Sequence, residues 1–412
     1  MAINFSPQLG AHDLSVLIDF LLFGATLAAV AIFHRHTLAA SLIGLSAIII
    51  KKLLTDGFAE GSGLAGLFAH FAHEWVLLAN LFLLLVGFAL LARHFETSRV
   101  PDRMPAALPD GWTGGFVLLA LVFVLSAFLD NIAGALIGAT VARHVFQGGV
   151  RVGYLAAIVA AANAGGAGSV IGDTTTTMLW IAGVSPLSVL PAFVAATCAF
   201  LVFAIPASLA QQKYAPIVKD PRPGLRISFR HIAVVAFVLA SAIAANVGAH
   251  LLDAHTLDSL PLIGLAVAAA IFLTAPIARP DWSVVPGAAR GALFLLALVS
   301  AASMMPVKSL PLPSWETTLG LGFLSAVFDN IPLTALTIKQ GYYDWGLLAY
   351  AVGFGGSMIW FGSSAGVAVA GMMPEAKSAA RWLKEGWPVA LAYVAGFFLM
   401  LALLGWNPEI LS

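Results

Sequence analysis

Apolar residues fill this chain in long blocks separated by short polar stretches. Runs that span a bilayer, or nearly do, lie at 15–33, 37–53, 75–92, 187–210, 231–252, 258–277, 286–304 and 387–407. A spanning helix needs about 20 mainly apolar residues. Four further regions differ. Residues 115–129 and 132–146 are two arms of about 15 residues that meet at Asp130-Asn131. As helix, each arm reaches roughly 22 Å, short of the roughly 30 Å hydrocarbon core. The pattern therefore predicts a re-entrant helical hairpin. Residues 316–328 and 331–339 repeat it around Asp329-Asn330, with Pro332 just past the tip. Residues 152–183 and 345–373 are long apolar stretches interrupted by glycines and hydroxyls. They read ANAGGAGSVIGDTTTT at 162–177 and VGFGGSMIWFGSSAG at 352–366. Both predict spanning helices broken in mid-course.

The two tips are near copies: LSAFLDNI at 125–132 and LSAVFDNI at 324–331. The order of three helices, hairpin, broken helix and helix occurs twice. Even the start of the third helix, Glu74-Trp75, has a counterpart in Asp281-Trp282. Charge sets the sense of each half, because cytoplasmic loops are enriched in Lys and Arg. Arg93, Arg99 and Arg103, then Lys213, Lys219, Arg222, Arg226 and Arg230, then Lys377, Arg381 and Lys384 are assigned to the cytoplasm. The 253–258 loop and both chain ends carry no Lys or Arg and are assigned outside. Lys51, Lys52, Lys308 and Lys339 are exceptions. On this scheme the halves run in opposite senses, an inverted-topology repeat of the kind secondary transporters use. The units expected are scaffold helices at 1–112, a transport unit at 113–210, a cytoplasmic linker at 211–230, scaffold helices at 231–310 and a second transport unit at 311–412.

Composition agrees. The chain has 412 residues, 60% hydrophobic and 10% charged, where a soluble domain carries about 25% charged. Mean hydropathy is +0.95. The fold class expected is an all-α polytopic membrane protein. Net charge is zero, which removes any electrostatic reason to bind nucleic acid. The single cysteine, Cys198, permits no internal disulfide and argues against a Cys-based metal site. Residues 1–14 lack the basic start of a cleavable signal, so the first run is expected to stay as a membrane helix. No Walker A motif supports ATP drive. GSGLAG at 61–66 follows no strand and reads as a turn. HFAHE at 70–74 is too sparse for a metal site, and Asp19 reads as a scaffold residue. Trp75, Trp282, Trp345 and Trp387 are expected at helix ends as an interfacial belt.

A hairpin tip in mid-membrane leaves backbone groups unsatisfied unless protein or a water-filled cavity serves them. A carboxylate there is costlier and defaults to a functional reading. No Lys or Arg lies near Asp130 or Asp329 on the N-terminal side, so a bound cation or proton is the simplest counter-charge. Asn131 and Asn330 add carbonyl oxygens. Ser126 and Ser325 lie four positions before each aspartate, on the same helical face. In the first broken helix, Gly165, Gly166, Gly168 and Gly172 allow unwinding, and Asp173 with Thr174, Thr175, Thr176 and Thr177 supplies oxygen. In the second, Gly355, Gly356 and Gly362 occupy matching places, with Ser363 and Ser364 where the first has Asp173 and Thr174. The expected site gathers three carboxylates, Asp130, Asp173 and Asp329, which together suit Na⁺ or another small hard cation. Protons and metal ion would compete for the same oxygens. Capping of a half-helix is the plainer role for each aspartate, and the same geometry can serve both.

These motifs (SAFLDN, NAGGAGSVIGDTTTTMLWIAG, SAVFDN and GFGGSMIWFGSSAGVAVAG) resemble the ion transporter superfamily of citrate-transporter-like, arsenite and dicarboxylate carriers. Within it they look most like the NhaD-type sodium/proton antiporters. The resemblance covers about residues 30–405 and is strongest at 120–185 and 320–372. It implies hairpins and broken helices in a moving transport domain, alternating access of elevator type, a homodimer, and exchange of Na⁺ or Li⁺ for H⁺ with no resident cofactor. The family's functional positions matched here are Ser126, Asp130, Asn131, Asp173, Thr175, Thr176, Ser325, Asp329 and Asn330. The chain departs after the first tip, where it reads IAG and the family more often has Pro and Thr. The expectation is an inner-membrane secondary transporter, not an enzyme, with both chain ends outside. The rivals are a sodium-coupled citrate or dicarboxylate symporter and an oxyanion or arsenite efflux carrier on the same fold. An intramembrane aspartyl protease would need Gly at position 170, where Val170 stands.

Overall fold

The computed structural model describes residues 11–33, 36–55, 57–218, 226–252 and 260–410. The 253–258 loop, Lys219 and Arg222 of the linker, and the extreme chain ends lie outside the described residues. Among those described, all regular structure is helical, and the strand-like contacts are two isolated bridges, Phe58–Gly61 and Tyr343–Glu409. Five of the described helices are long and apolar enough to cross a membrane. The chain is an all-α polytopic membrane protein.

Helices α1 (Ala11–Ile32) and α2 (Thr37–Leu54) pack together around a buried ion cluster. Asp19, 1% exposed, pairs with Lys52 Nζ at 2.8 Å and Lys51 Nζ at 3.0 Å. Two of the lysines that broke the charge rule thus share one buried carboxylate inside the protein. Lys339 is also engaged, donating to the Ser303 carbonyl.

Helix α3 (Gly63–Thr97) is 35 residues long and starts well before the predicted 75–92 run. GLAGLFAHF contains no proline, and its buried face has partners: His70 meets Glu60 Oε2 and Ser303 Oγ, each at 2.9 Å. Glu74-Trp75 therefore lies within the helix and does not start it. The GSGLAG turn ends at Ser62, and Gly63 onward is helical. The counterpart does begin an element: the Asp281 side chain accepts from Ser283 N and caps a 3₁₀ turn, Trp282–Val284. The tryptophan belt is likewise incomplete. Trp387 falls inside the last helix, and Trp345, at a helix start, is only 2% exposed.

A short α4 (Val100–Ala107) leads to the first hairpin-like pair, α5 (Trp112–Ser126) and α6 (Asn131–Val145). The first broken helix follows as α7 (Val152–Ala167) and α8 (Thr174–Ile181), then α9 (Pro186–Val189) and α10 (Ala192–Tyr214). The second half supplies α11 (Phe229–Leu252), α12 (Leu262–Thr274) and α13 (Val285–Ser303). Its helix pair is α14 (Trp315–Ser325) and α15 (Asn330–Gln340). Its broken helix is α16 (Trp345–Gly355) and α17 (Ser364–Met372), and α18 (Ala379–Leu404) closes the fold.

Two half-helices form the centre. Every residue of α7 from Tyr154 to Ala167 is buried, as is every residue of α16. A helix apolar around its whole circumference belongs inside. Both pack against α10 and α18 as well as each other. The Tyr350 ring stacks on Phe354 at 5.4 Å and on Tyr393 of α18 at 5.9 Å. Its hydroxyl donates to the Tyr393 carbonyl at 3.0 Å, the partner a buried phenol requires. A second apolar cluster, with Leu27, Ile48, Leu298 and Ile331, joins α1, α2, α13 and α15.

Candidate functional site

Close backbone approach lets the broken helices meet the hairpin pairs. A Cβ on Gly165 would lie 2.0 Å from the Phe123 carbonyl oxygen of α5, and one on Gly355 would lie 2.2 Å from the Gly322 carbonyl oxygen of α14. Only glycine leaves room for either crossing. The breaks also close alike: Gly166 faces the Gly172 carbonyl, and Gly356 faces the Gly362 carbonyl. The helix-pair residue contacted sits three positions before the serine in each tip motif, Phe123 before Ser126 and Gly322 before Ser325.

The breaks bring four helix N-termini into play. Asp130, Asp173, Asp329 and Ser363 are the N-cap residues of α6, α8, α15 and α17. Helix N-termini favour negative charge, so each carboxylate sits where the backbone partly offsets its burial. The Asp329 carboxylate accepts from Ile331 N at 3.2 Å and from Ser364 Oγ at 3.0 Å.

Asp173 is the hub. It is 1% exposed. Asn131 Nδ2 donates to its Oδ1 at 2.8 Å, and Asn330 Nδ2 approaches both of its oxygens at 3.3 Å. Thr174 Oγ1 donates to Oδ1 at 3.4 Å, and Thr175 is fully buried alongside. The α16 backbone presses on the other oxygen: a Cβ at Gly353 would stand 2.9 Å from Asp173 Oδ2.

The network extends to two residues that sequence reasoning did not single out. Asn131 Nδ2 also donates to Asn163 Oδ1 at 3.0 Å. Asn163 Nδ2 in turn donates to Ser357 Oγ at 2.9 Å and Ser363 Oγ at 3.2 Å. Asn163, with no exposure, thus joins α7 to the second broken helix. The available signal was a lone amide inside the apolar face of a helix, a position where a polar side chain needs a partner.

Other predicted residues hold the scaffold of the site. Thr176 Oγ1 donates to the Ser169 carbonyl at 2.6 Å and the Asp173 carbonyl at 2.9 Å, stitching the break in the first half. Ser325 Oγ donates to the Val352 carbonyl at 2.7 Å, tying α14 to α16. Ser126 is buried with its hydroxyl against Gly134.

The tip aspartates are not beside Asp173 in one cage. Asp130 lines a cavity of about 420 Å³ and Asp329 a separate one of about 260 Å³. Ile132 lines both. Among the described residues, no three His, Cys, Asp or Glu side chains come together as a metal-holding group. The sequence suggested one shared set of carboxylates. The structure instead interposes the tip asparagines, which turn their amides to Asp173 while each aspartate faces its own cavity.

No protein-family model matches the chain. It is similar, though, to named transporters. It is 30% identical over 309 residues to Sodium/proton antiporter 2 of Arabidopsis thaliana, covering 66% of this chain and 71% of that protein. Identity to Sodium/proton antiporter 1 of Arabidopsis thaliana is also 30%, over 318 residues, covering 67% of this chain and 52% of that protein. The chain thus spans about half the length of that relative. It is 28% identical over 308 residues to the Na(+)/H(+) antiporter NhaD of Vibrio parahaemolyticus, covering 63% of this chain and 72% of that one. These relatives are named as antiporters, which are transporters and not enzymes.

Proposed function

Because the chain belongs to the NhaD-type sodium/proton antiporter family, we propose that it exchanges Na⁺ or Li⁺ for H⁺ across a membrane by alternating access. The observation that carries this reading is the place of Asp173. It is a buried carboxylate held between an asparagine from the first helix pair and one from the second.

The chemistry is competition for oxygen. Asp130, Asp173 and Asp329 alternate between proton and cation, and Asn131, Asn330, Asn163, Thr175 and the serines Ser126 and Ser325 shape or complete the sites. A small hard cation is met by carboxylate, amide and hydroxyl oxygens. Burial makes each carboxylate costly to leave ionised without a proton or a cation beside it. Taking up a proton at one of them therefore favours release of Na⁺, and the reverse.

The like construction of the two breaks supports an inverted-topology repeat with re-entrant hairpins. In this reading, residues 113–210 and 311–412 move as transport units against scaffold helices at 1–112 and 231–310. The protein sits in the inner membrane as a homodimer, with the 211–230 linker in the cytoplasm and both chain ends outside.

Reconstitution in liposomes loaded with a pH-sensitive dye tests the proposal. With a pH gradient imposed, Na⁺ or Li⁺ should collapse it, and Asp173→Asn should not. Silence with Na⁺, Li⁺ and K⁺, together with Na⁺-dependent citrate uptake, would replace this reading with the symporter.

A further inference from the structure

The cavity that reaches Asp130 carries three charged side chains that lie outside the carboxylate site. Arg93 and Glu96 come from the end of α3, and Asp281 from the turn before α13. Arg93 Nε donates to Asp281 Oδ2 at 2.9 Å, and Arg93 Nη1 donates to Glu96 Oε2 at 3.0 Å. All three are exposed, at 47%, 40% and 36% for Arg93, Glu96 and Asp281. They therefore mark the solvent end of the cavity, while half-buried Asp130 lines its interior. Between them the wall is mostly apolar, with Leu85, Phe88, Ala89 and Leu136.

Resting on the antiporter reading, we propose that Glu96 and Asp281, bridged by Arg93, form the cation-selecting mouth of the passage to Asp130. One positive and two negative charges leave the mouth with a net negative charge. Low-dielectric walls focus such a field along the passage, raising the local cation concentration and excluding anions. Arg93 has a second effect. By holding one oxygen of each carboxylate, it keeps the two from closing around an ion, so the mouth attracts Na⁺ without trapping it. The second Asp281 oxygen is also occupied, accepting from Ser283 N at 3.2 Å and Ser283 Oγ at 2.5 Å. The pair is not a strong strut, since exposed ion pairs contribute about 0–1 kcal/mol. Its value lies in charge.

The test uses opposite charge changes that break the same ion cluster. Initial exchange rates against Na⁺ concentration are measured in inside-out vesicles for wild type, Glu96→Gln, Asp281→Asn and Arg93→Gln. The first two variants should raise the apparent KM for Na⁺ about two- to fivefold, and Arg93→Gln should lower it, with kcat held within about twofold. The differences should shrink in high choline chloride, because screening shortens the reach of the field to about 3 Å at 1 M. Right-side-out vesicles should show no such shift. If all three variants move KM in one direction, or none moves it, the mouth is a structural contact and the proposal fails. A wild type that shows no Na⁺/H⁺ exchange would instead overturn the antiporter reading on which the proposal rests.

Discussion

Asn330 reaches across 157 positions of sequence to bring its amide within 3.3 Å of both carboxylate oxygens of Asp173. Asn131 reaches the same carboxylate from the other helix pair, at 2.8 Å. One buried anion thus joins the two halves through donors that the repeated Asp-Asn motif supplies twice. This explains the doubled motif chemically. The aspartate of each tip faces a cavity, and the asparagine next to it faces the hub.

Truncating either asparagine should therefore disable exchange. Asn131→Ala and Asn330→Ala each remove a donor to a buried carboxylate, a loss of about 1–3 kcal/mol. Each should slow Na⁺-driven proton movement roughly tenfold or more in the dye assay. Because both donors share Asp173 Oδ1, the double variant should cost measurably less or more than the sum of the singles. Additivity within about 0.5 kcal/mol would show the two amides acting independently.

Gly353 offers a more local test. Its missing side chain leaves room for Asp173 Oδ2, which a Cβ would approach to 2.9 Å. Gly353→Ala should push the carboxylate off its asparagine partners and reduce exchange several-fold. Overpacking of this kind costs about 1–3 kcal/mol, so the protein should still purify as folded. Gly353→Val should abolish exchange. Unchanged kinetics in the alanine variant would mean that the carboxylate has slack to move without consequence.

The sequence was most informative where polar residues interrupt apolar runs. Asp130-Asn131, Asp329-Asn330 and the Gly-rich breaks stand out for that reason, and most helix ends, though not the starts of α3 and α18, fall within a few residues of where the pattern broke. It was least informative where the partner comes from far along the chain. Asn163 reads as one polar residue in an alanine-rich helix, and its bonds to Ser357 and Ser363 cross about half the protein. The start of α3 was misplaced because Glu74-Trp75 looked like a boundary. No local rule revealed that His70 would be satisfied by Glu60 and Ser303, or that the helix would run on. Lys51 and Lys52 opposed the charge rule because their partner, Asp19, lies on another helix. That the three carboxylates would not share one cage was also hidden, because residue spacing along a chain does not say which way a tip side chain turns.

Not every glycine in these helices should be equally sensitive. Gly165 sits where a Cβ would lie 2.0 Å from a backbone oxygen, and Gly320 on α14 has nothing within 4 Å. Gly165→Ala must move α7 away from α5 and should lower the melting temperature by several degrees, with a cost of about 1–3 kcal/mol. Gly320→Ala should leave it unchanged or raise it, since alanine is favoured over glycine in a helix by about 1 kcal/mol. Fluorescence-monitored thermal unfolding in detergent separates the two. Equal shifts would mean that helix propensity outweighs the crossing geometry.

The ion cluster of α1 and α2 should behave as a matter of stability, apart from transport. Asp19 is buried between Lys51 and Lys52, so Asp19→Asn leaves two cations with less compensation. Removing one partner of a buried pair costs about 3–5 kcal/mol. The variant should therefore unfold at markedly lower temperature. Exchange per folded molecule should stay near wild type, because none of the three residues lines the cavities of Asp130 or Asp329. Replacing all three at once, with Asp19→Leu, Lys51→Met and Lys52→Met, removes both the charges and their desolvation cost. That protein should recover most of the lost stability, since apolar substitutes for buried ion groups are often neutral or better. A triple variant as unstable as Asp19→Asn would show instead that the cluster fixes the packing of α1 on α2 through its geometry and not its charge.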